Sequence, residues 1–182
     1  MRALTRYCEN RVELFRRFRT AQTGATAVEF ALIAPVFLAL LFAILQTTLF
    51  LFAQQTLQNA AVQAGRMFMT GSAQSSGMTQ AQLNNSVCPM VSTLFNCANL
   101  QINVAAYNSF SSASTAAPAL YNSSGQLQTT GTYNTGSPGT IMVVQLVYPW
   151  PVIGMPIGSV LPGTGYGTTE LMGVTAFRVE PY

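Results

Sequence analysis

The alternation of apolar and polar positions divides this chain into a long membrane-type helix and a smaller outer domain. From Phe30 to Ala53 the sequence reads FALIAPVFLALLFAILQTTLFLFA, with only Gln46, Thr47 and Thr48 polar and no charge. As a helix these 24 positions extend about 36 Å at about 1.5 Å per residue, enough to cross a hydrocarbon core of about 30 Å. A cleavable secretory signal would carry about 7–15 apolar residues before a small-x-small cut site. Here the run is longer, and Leu51 stands where a small residue is wanted, so the pattern predicts a retained single span. Pro35 removes one backbone donor inside that span, and a helix kink is expected near residues 31 to 35, although membrane helices also tolerate proline.

Past the apolar run, Ala53, Leu57, Ala60, Ala64 and Phe68 recur at spacings of three and four, with Gln54, Gln55, Gln58, Asn59, Gln63 and Arg66 mostly between them. This stripe of small residues predicts that the helix continues, suited to close packing on a sheet or another helix, until Gly71-Ser72 ends it. One helix from about Ala25 to Thr70 results. Residues 72 to 86 are polar and read as a linker or a short helix around Gln80 to Leu83. Leu100 to Ala106, Ile141 to Tyr148 and Gly173 to Val179 are strand candidates, and the second, almost continuously apolar, suits a central strand. Residues 108 to 139 have loop composition, with a weak hairpin around Tyr121 and Tyr133, and read as a mobile excursion rather than a variable surface. In Tyr148-Pro-Trp-Pro-Val-Ile-Gly-Met-Pro156 the prolines are expected to end the strand, leaving Trp150 in the core or against the membrane surface. The expected fold class is α+β: a long N-terminal transmembrane helix, then a small domain at residues 71–182 with an antiparallel β-sheet.

Composition narrows the chemistry. The chain has no His, Asp or Lys, and its carboxylates are Glu9, Glu13, Glu29, Glu170 and Glu180. General acid–base catalysis draws on His, paired carboxylates or Lys, and metal sites on His, Cys and carboxylates. An enzyme, a bound metal and a cofactor are therefore not expected, nor are catalytic residues. Six arginines (Arg2, Arg6, Arg11, Arg16, Arg17, Arg19) against Glu9 and Glu13 give the stretch before residue 20 a charge of +4, whereas Arg66 and Arg178 balance Glu170 and Glu180 beyond the apolar run. The basic balance is thus a cytoplasmic flank, with everything after residue 53 outside, and not a nucleic-acid surface. Outside the cytoplasm Cys88 and Cys97 read as a disulfide closing a short loop, while Cys8 stays inside and reduced.

The junction of leader and span carries the most specific motif, Gly24-Ala-Thr-Ala-Val-Glu29-Phe30. A charged carboxylate at the bilayer centre costs about 2–3 kcal/mol or more, so its retention calls for a reason. The arrangement resembles the processing site of type IV prepilins, in which a membrane peptidase cuts after the glycine on the cytoplasmic side. The resemblance implies cleavage between Gly24 and Ala25. Glu29 would then lie fifth from the new N-terminus, as the assembly carboxylate that pairs with a neighbouring subunit's terminal ammonium group.

Gly24-Ala-Thr-Ala-Val-Glu-Phe-Ala-Leu-Ile-Ala-Pro35, then Ala60-Ala-Val-Gln-Ala-Gly-Arg66, and more loosely Val174-Thr-Ala-Phe-Arg178-Val-Glu180-Pro-Tyr, make the chain similar to TadE-like proteins of the tight-adherence (Flp) pilus system. Phe30 departs from the tyrosine of the major Flp pilins, which suits a pseudopilin, and 182 residues favour TadE over the longer TadG proteins. The resemblance implies a minor pilin or pseudopilin that helps assemble or initiate the pilus used in surface adherence. Residues 1–24 would be a cleaved leader in a single-pass protein of the bacterial inner membrane, with the C-terminal domain periplasmic. Its implied partners are the membrane, the prepilin peptidase, the major Flp pilin and other minor pilins, and the inner-membrane platform proteins, with no nucleic acid. The other reading keeps the leader on, as a fixed inner-membrane anchor or scaffold of the assembly machinery.

Overall fold

A 45-residue helix, α1 (Ala25–Met69), opens the described part of the chain. The computed structural model describes residues 24–116, 118–151 and 168–181; the arginine-rich leader with Cys8 lies outside them. The chain divides into two units, Met1–Leu45 and Gln46–Tyr182. In the first, none of the described residues is buried, as befits an apolar surface that water does not solvate. The second holds the rest of α1, two further helices and a four-stranded sheet.

Gly71 ends the α1 segment as the stripe predicts. It adopts the left-handed conformation (φ 72°) that glycine enters without a Cβ penalty, and its N–H bonds the Phe68 carbonyl at 3.2 Å. A four-residue helix α2 (Ser72–Ser75) follows, then α3 (Gln80–Val91). Thr79 starts α3 with a capping box: its hydroxyl accepts from the Gln82 N–H, and the Gln82 side chain accepts from the Thr79 N–H at 2.8 Å. The expectation of a linker or a helix near Gln80 to Leu83 is therefore too short. Leu83, Val87 and Val91, spaced by four, are all buried, and that stripe carries the helix through Asn84, Asn85 and Pro89. Pro89 falls in the last turn, two residues before the end, where little helix remains to be interrupted.

The strands are β1 (Gln101–Tyr107), β2 (Thr130–Tyr133), β3 (Ile141–Pro151) and β4 (Thr168–Arg178), in the sheet order β2-β1-β3-β4. β3 is central, antiparallel to β1 and to β4. Two expectations need correction. β2 pairs parallel with β1 and makes no hairpin with the Tyr121 region, which forms only an isolated bridge, Tyr121 with Leu127. A parallel neighbour needs a long return connection, and residues 108–129 supply it. That stretch is mostly exposed and touches the domain at Leu120, which is buried, and at the Ala116 carbonyl, which accepts from Gln145 at 2.9 Å. Lastly, β3 runs through Pro149 to Pro151, opposite Glu170 and Thr168. Among the described residues, β3 beyond Val147 pairs with β4 alone, so one of its edges has no ladder bond there for a proline to lose.

Alternation along β3 sorts the core. Met142, Val144, Leu146, Tyr148 and Trp150 join Leu57, Phe68, Leu83, Val87 and Val91 of the helices in the main cluster. Ile141, Val143 and Val147, also buried, alternate with them and face the other side. Trp150 lies in the core, its ring edge-to-face with Phe95 at 5.9 Å, and Phe95 meets Tyr148 at 4.8 Å.

Candidate functional site

Gly24 sits one residue before α1, exposed, with nothing among the described residues within 4 Å of the position a Cβ would take. Ala25 is the first residue of the helix. Glu29, four residues on, shares a helix face with Ala25 and is exposed, and the next side chain, Phe30, is 73% exposed. α1 is one helix through Pro35. The predicted processing residues and the carboxylate therefore stand together at the helix start.

In the unit Gln46–Tyr182, the outer part of α1 lies against β4, and two features escaped the sequence reading. The first is a pair of glutamines. Gln58 donates to the Val174 carbonyl at 2.8 Å and accepts from the Val174 N–H at 3.0 Å, while Gln54 donates to the Met172 carbonyl at 2.8 Å. β4 is an edge strand. Its outward backbone groups, which would otherwise be open to another strand, are thus occupied by side-chain amides that reproduce a ladder. The available signal was the spacing of four between Gln54 and Gln58, on either side of the buried Leu57.

The second feature is how closely the two elements approach. A Cβ on Gly173 would stand 2.4 Å from the Leu57 carbonyl oxygen, and one on Gly65 2.6 Å from Thr175 Cγ2. The small-residue stretch Ala60 to Arg66 serves this contact, with Ala60, Ala61, Ala64 and Gly65 all buried. Arg66 remains exposed, the basic residue in the last turn of α1, where the helix dipole favours a cation.

Cys88 and Cys97 form the disulfide, with Cα atoms 5.8 Å apart. It ties the last turn of α3 to the 3-10 turn Cys97–Asn99 that leads into β1. Tyr133 of β2 donates its hydroxyl to the Met78 carbonyl, and burial pushes its pKa above the ordinary 10.0.

A single helix long and apolar enough to cross a membrane, followed by a small α+β head, fits the class of single-pass membrane proteins. The family model for TadE-like protein matches residues 24–66, from the glycine before α1 to the arginine of its last turn. The match supports a TadE-like protein over that stretch, the part of the chain that is similar to the family. No curated protein and no solved structure matches the chain.

Proposed function

We propose that the protein is a minor pilin or pseudopilin that helps assemble or initiate the Tad (Flp) pilus, with residues 1–24 removed by the prepilin peptidase. The observation that carries this reading is the coincidence of three boundaries. The family match starts at Gly24, the helix starts at Ala25, and among the described residues nothing lies within 4 Å of a Cβ at position 24. Cleavage there frees an ammonium group at the head of a helix that already carries Glu29 on the same face. The carboxylate, costly in lipid when unpaired, then has a cationic partner on an adjoining subunit. The head, which in this reading faces the periplasm, offers its surface to other pilins and to the inner-membrane platform.

Intact mass of the protein purified from its native membrane tests the reading. A mass beginning at Ala25 is expected, and a mass that includes Met1 to Gly24 would favour the fixed anchor instead. Because a Cβ at position 24 meets nothing among the described residues within 4 Å, Gly24→Leu should leave the fold intact while blocking processing and pilus formation. Glu29→Gln should permit cleavage and impair assembly; unimpaired assembly would remove the charge-pairing role.

A further inference from the structure

β4 and the outer part of α1 run side by side in the same direction. Gln54 meets Met172, Leu57 meets Gly173, Gln58 meets Val174, and the Glu180 N–H reaches the Met69 carbonyl at 3.0 Å. β4 begins four residues before Met172, at Thr168. Those four residues span about 13 Å at about 3.3 Å each, the rise of about nine helical residues. The start of β4 is therefore level with the point where α1 enters this unit. The end of β3 is held there as well, since Trp150 pairs with Thr169 and Pro151 with Thr168.

On this stretch α1 has two different environments. Phe50 packs against the core cluster and Ala53 is fully buried, whereas Leu49, Leu51 and Phe52 are 47%, 60% and 60% exposed. Three large apolar side chains within two turns, uncovered by protein and continuous with an apolar span, are side chains that lipid covers. If lipid reaches Phe52 on one side of the helix, the sheet end on its other side, level with about residues 45 to 50 of α1, lies within the same lipid layer. We propose that the end of the sheet formed by Pro149–Pro151 and Thr168–Glu170 rests in the interfacial layer of the bilayer that α1 spans. The local chemistry suits that layer. The prolines at 149 and 151 have no N–H to leave unpaired, and Glu170 is the single charge in these two segments. The proposal rests on the reading of α1 as a membrane span and not on the pilin role.

The chain has one tryptophan, so Trp150 itself reports the depth. The full-length protein is reconstituted into phosphatidylcholine vesicles that contain a lipid-borne quencher, placed either near the headgroup or deep in the acyl chain. Flotation of each preparation checks insertion, and Trp150→Phe identifies the signal. The expected result is co-flotation with a large loss of emission from the shallow quencher and a smaller loss from the deep one. Co-flotation with no quenching by either label would mean that the head stands clear of the lipid. Stronger quenching by the deep label would put the sheet end in the hydrocarbon. Either overturns the proposal while the span stands; failure to co-float overturns both.

Discussion

Replacing Gly173 by alanine tests whether the close approach of α1 to β4 holds the head together. The added Cβ would lie 2.4 Å from the Leu57 oxygen, 2.7 Å from the Leu57 carbonyl carbon and 3.0 Å from the Gln58 nitrogen. All three are backbone atoms of a helix packed along its length, so no rotamer change relieves the clash. To restore ordinary contact at 3.4 Å, the helix must move away by about 1 Å. The hydrogen bonds from Gln54 and Gln58 to β4, now 2.8–3.0 Å, would then exceed bonding distance. Overpacking contributes about 1–3 kcal/mol, and three lost hydrogen bonds about 1 kcal/mol each. The stiffer unfolded chain returns about 0.4–1 kcal/mol. The net loss is about 3–5 kcal/mol, a fall in Tm of about 10 °C for a chain of this size. The assay is thermal unfolding of the full-length protein in detergent, followed by Trp150 emission, with Gly24→Ala as the reference because none of the described residues lies near that Cβ. A Gly173→Ala melt superimposed on that of the wild type would refute the account of the seam.

Three other outcomes are expected. Gln58→Leu should lower stability by about 2 kcal/mol by leaving the Val174 N–H and C=O unpaired, read by denaturant midpoint; an unchanged midpoint would mean that the amide pairing is dispensable. Replacing Cys88 and Cys97 together by serine should cost about 2.5–3 kcal/mol, the chain-entropy value for so short a loop, with reduction of the wild type giving a comparable shift in the same melt. For Tyr133 the folded pKa is raised, so the folded state holds the proton more tightly than the unfolded chain does. Its contribution is fully present below the unfolded value of 10.0 and is lost as pH rises through the folded value. Stability should therefore fall above pH 10.0, and fall less steeply in Tyr133→Phe; identical slopes would assign the effect to other groups.

The long helix was legible without coordinates because its information is local. An apolar run of 24 residues, a stripe at spacings of three and four and a terminal glycine are each read from neighbours along the chain. The same holds for the Gly24–Glu29 motif, whose residues stand together because a helix places positions four apart on one face, and for two cysteines nine apart. The central place of Ile141 to Tyr148 could be read from its unbroken apolar character, since only a strand covered on both faces carries one.

What the tertiary structure alone decided involves distant partners. The Gln54 and Gln58 amides serve β4 groups 118 and 116 residues away. The need for glycine at 173 exists only because a helix backbone passes over it. Asn84, Asn85 and Pro89 read as a break until Leu83, Val87 and Val91 find a sheet to bury against. β3 continues through two prolines because, among the described residues, no strand pairs with its other edge beyond Val147. The parallel β2 is set by which edge of β1 remains open once β3 has taken the other. Local propensity and period specify a helix and its ends, whereas strand order, edges and close approaches follow from which surfaces must be buried together.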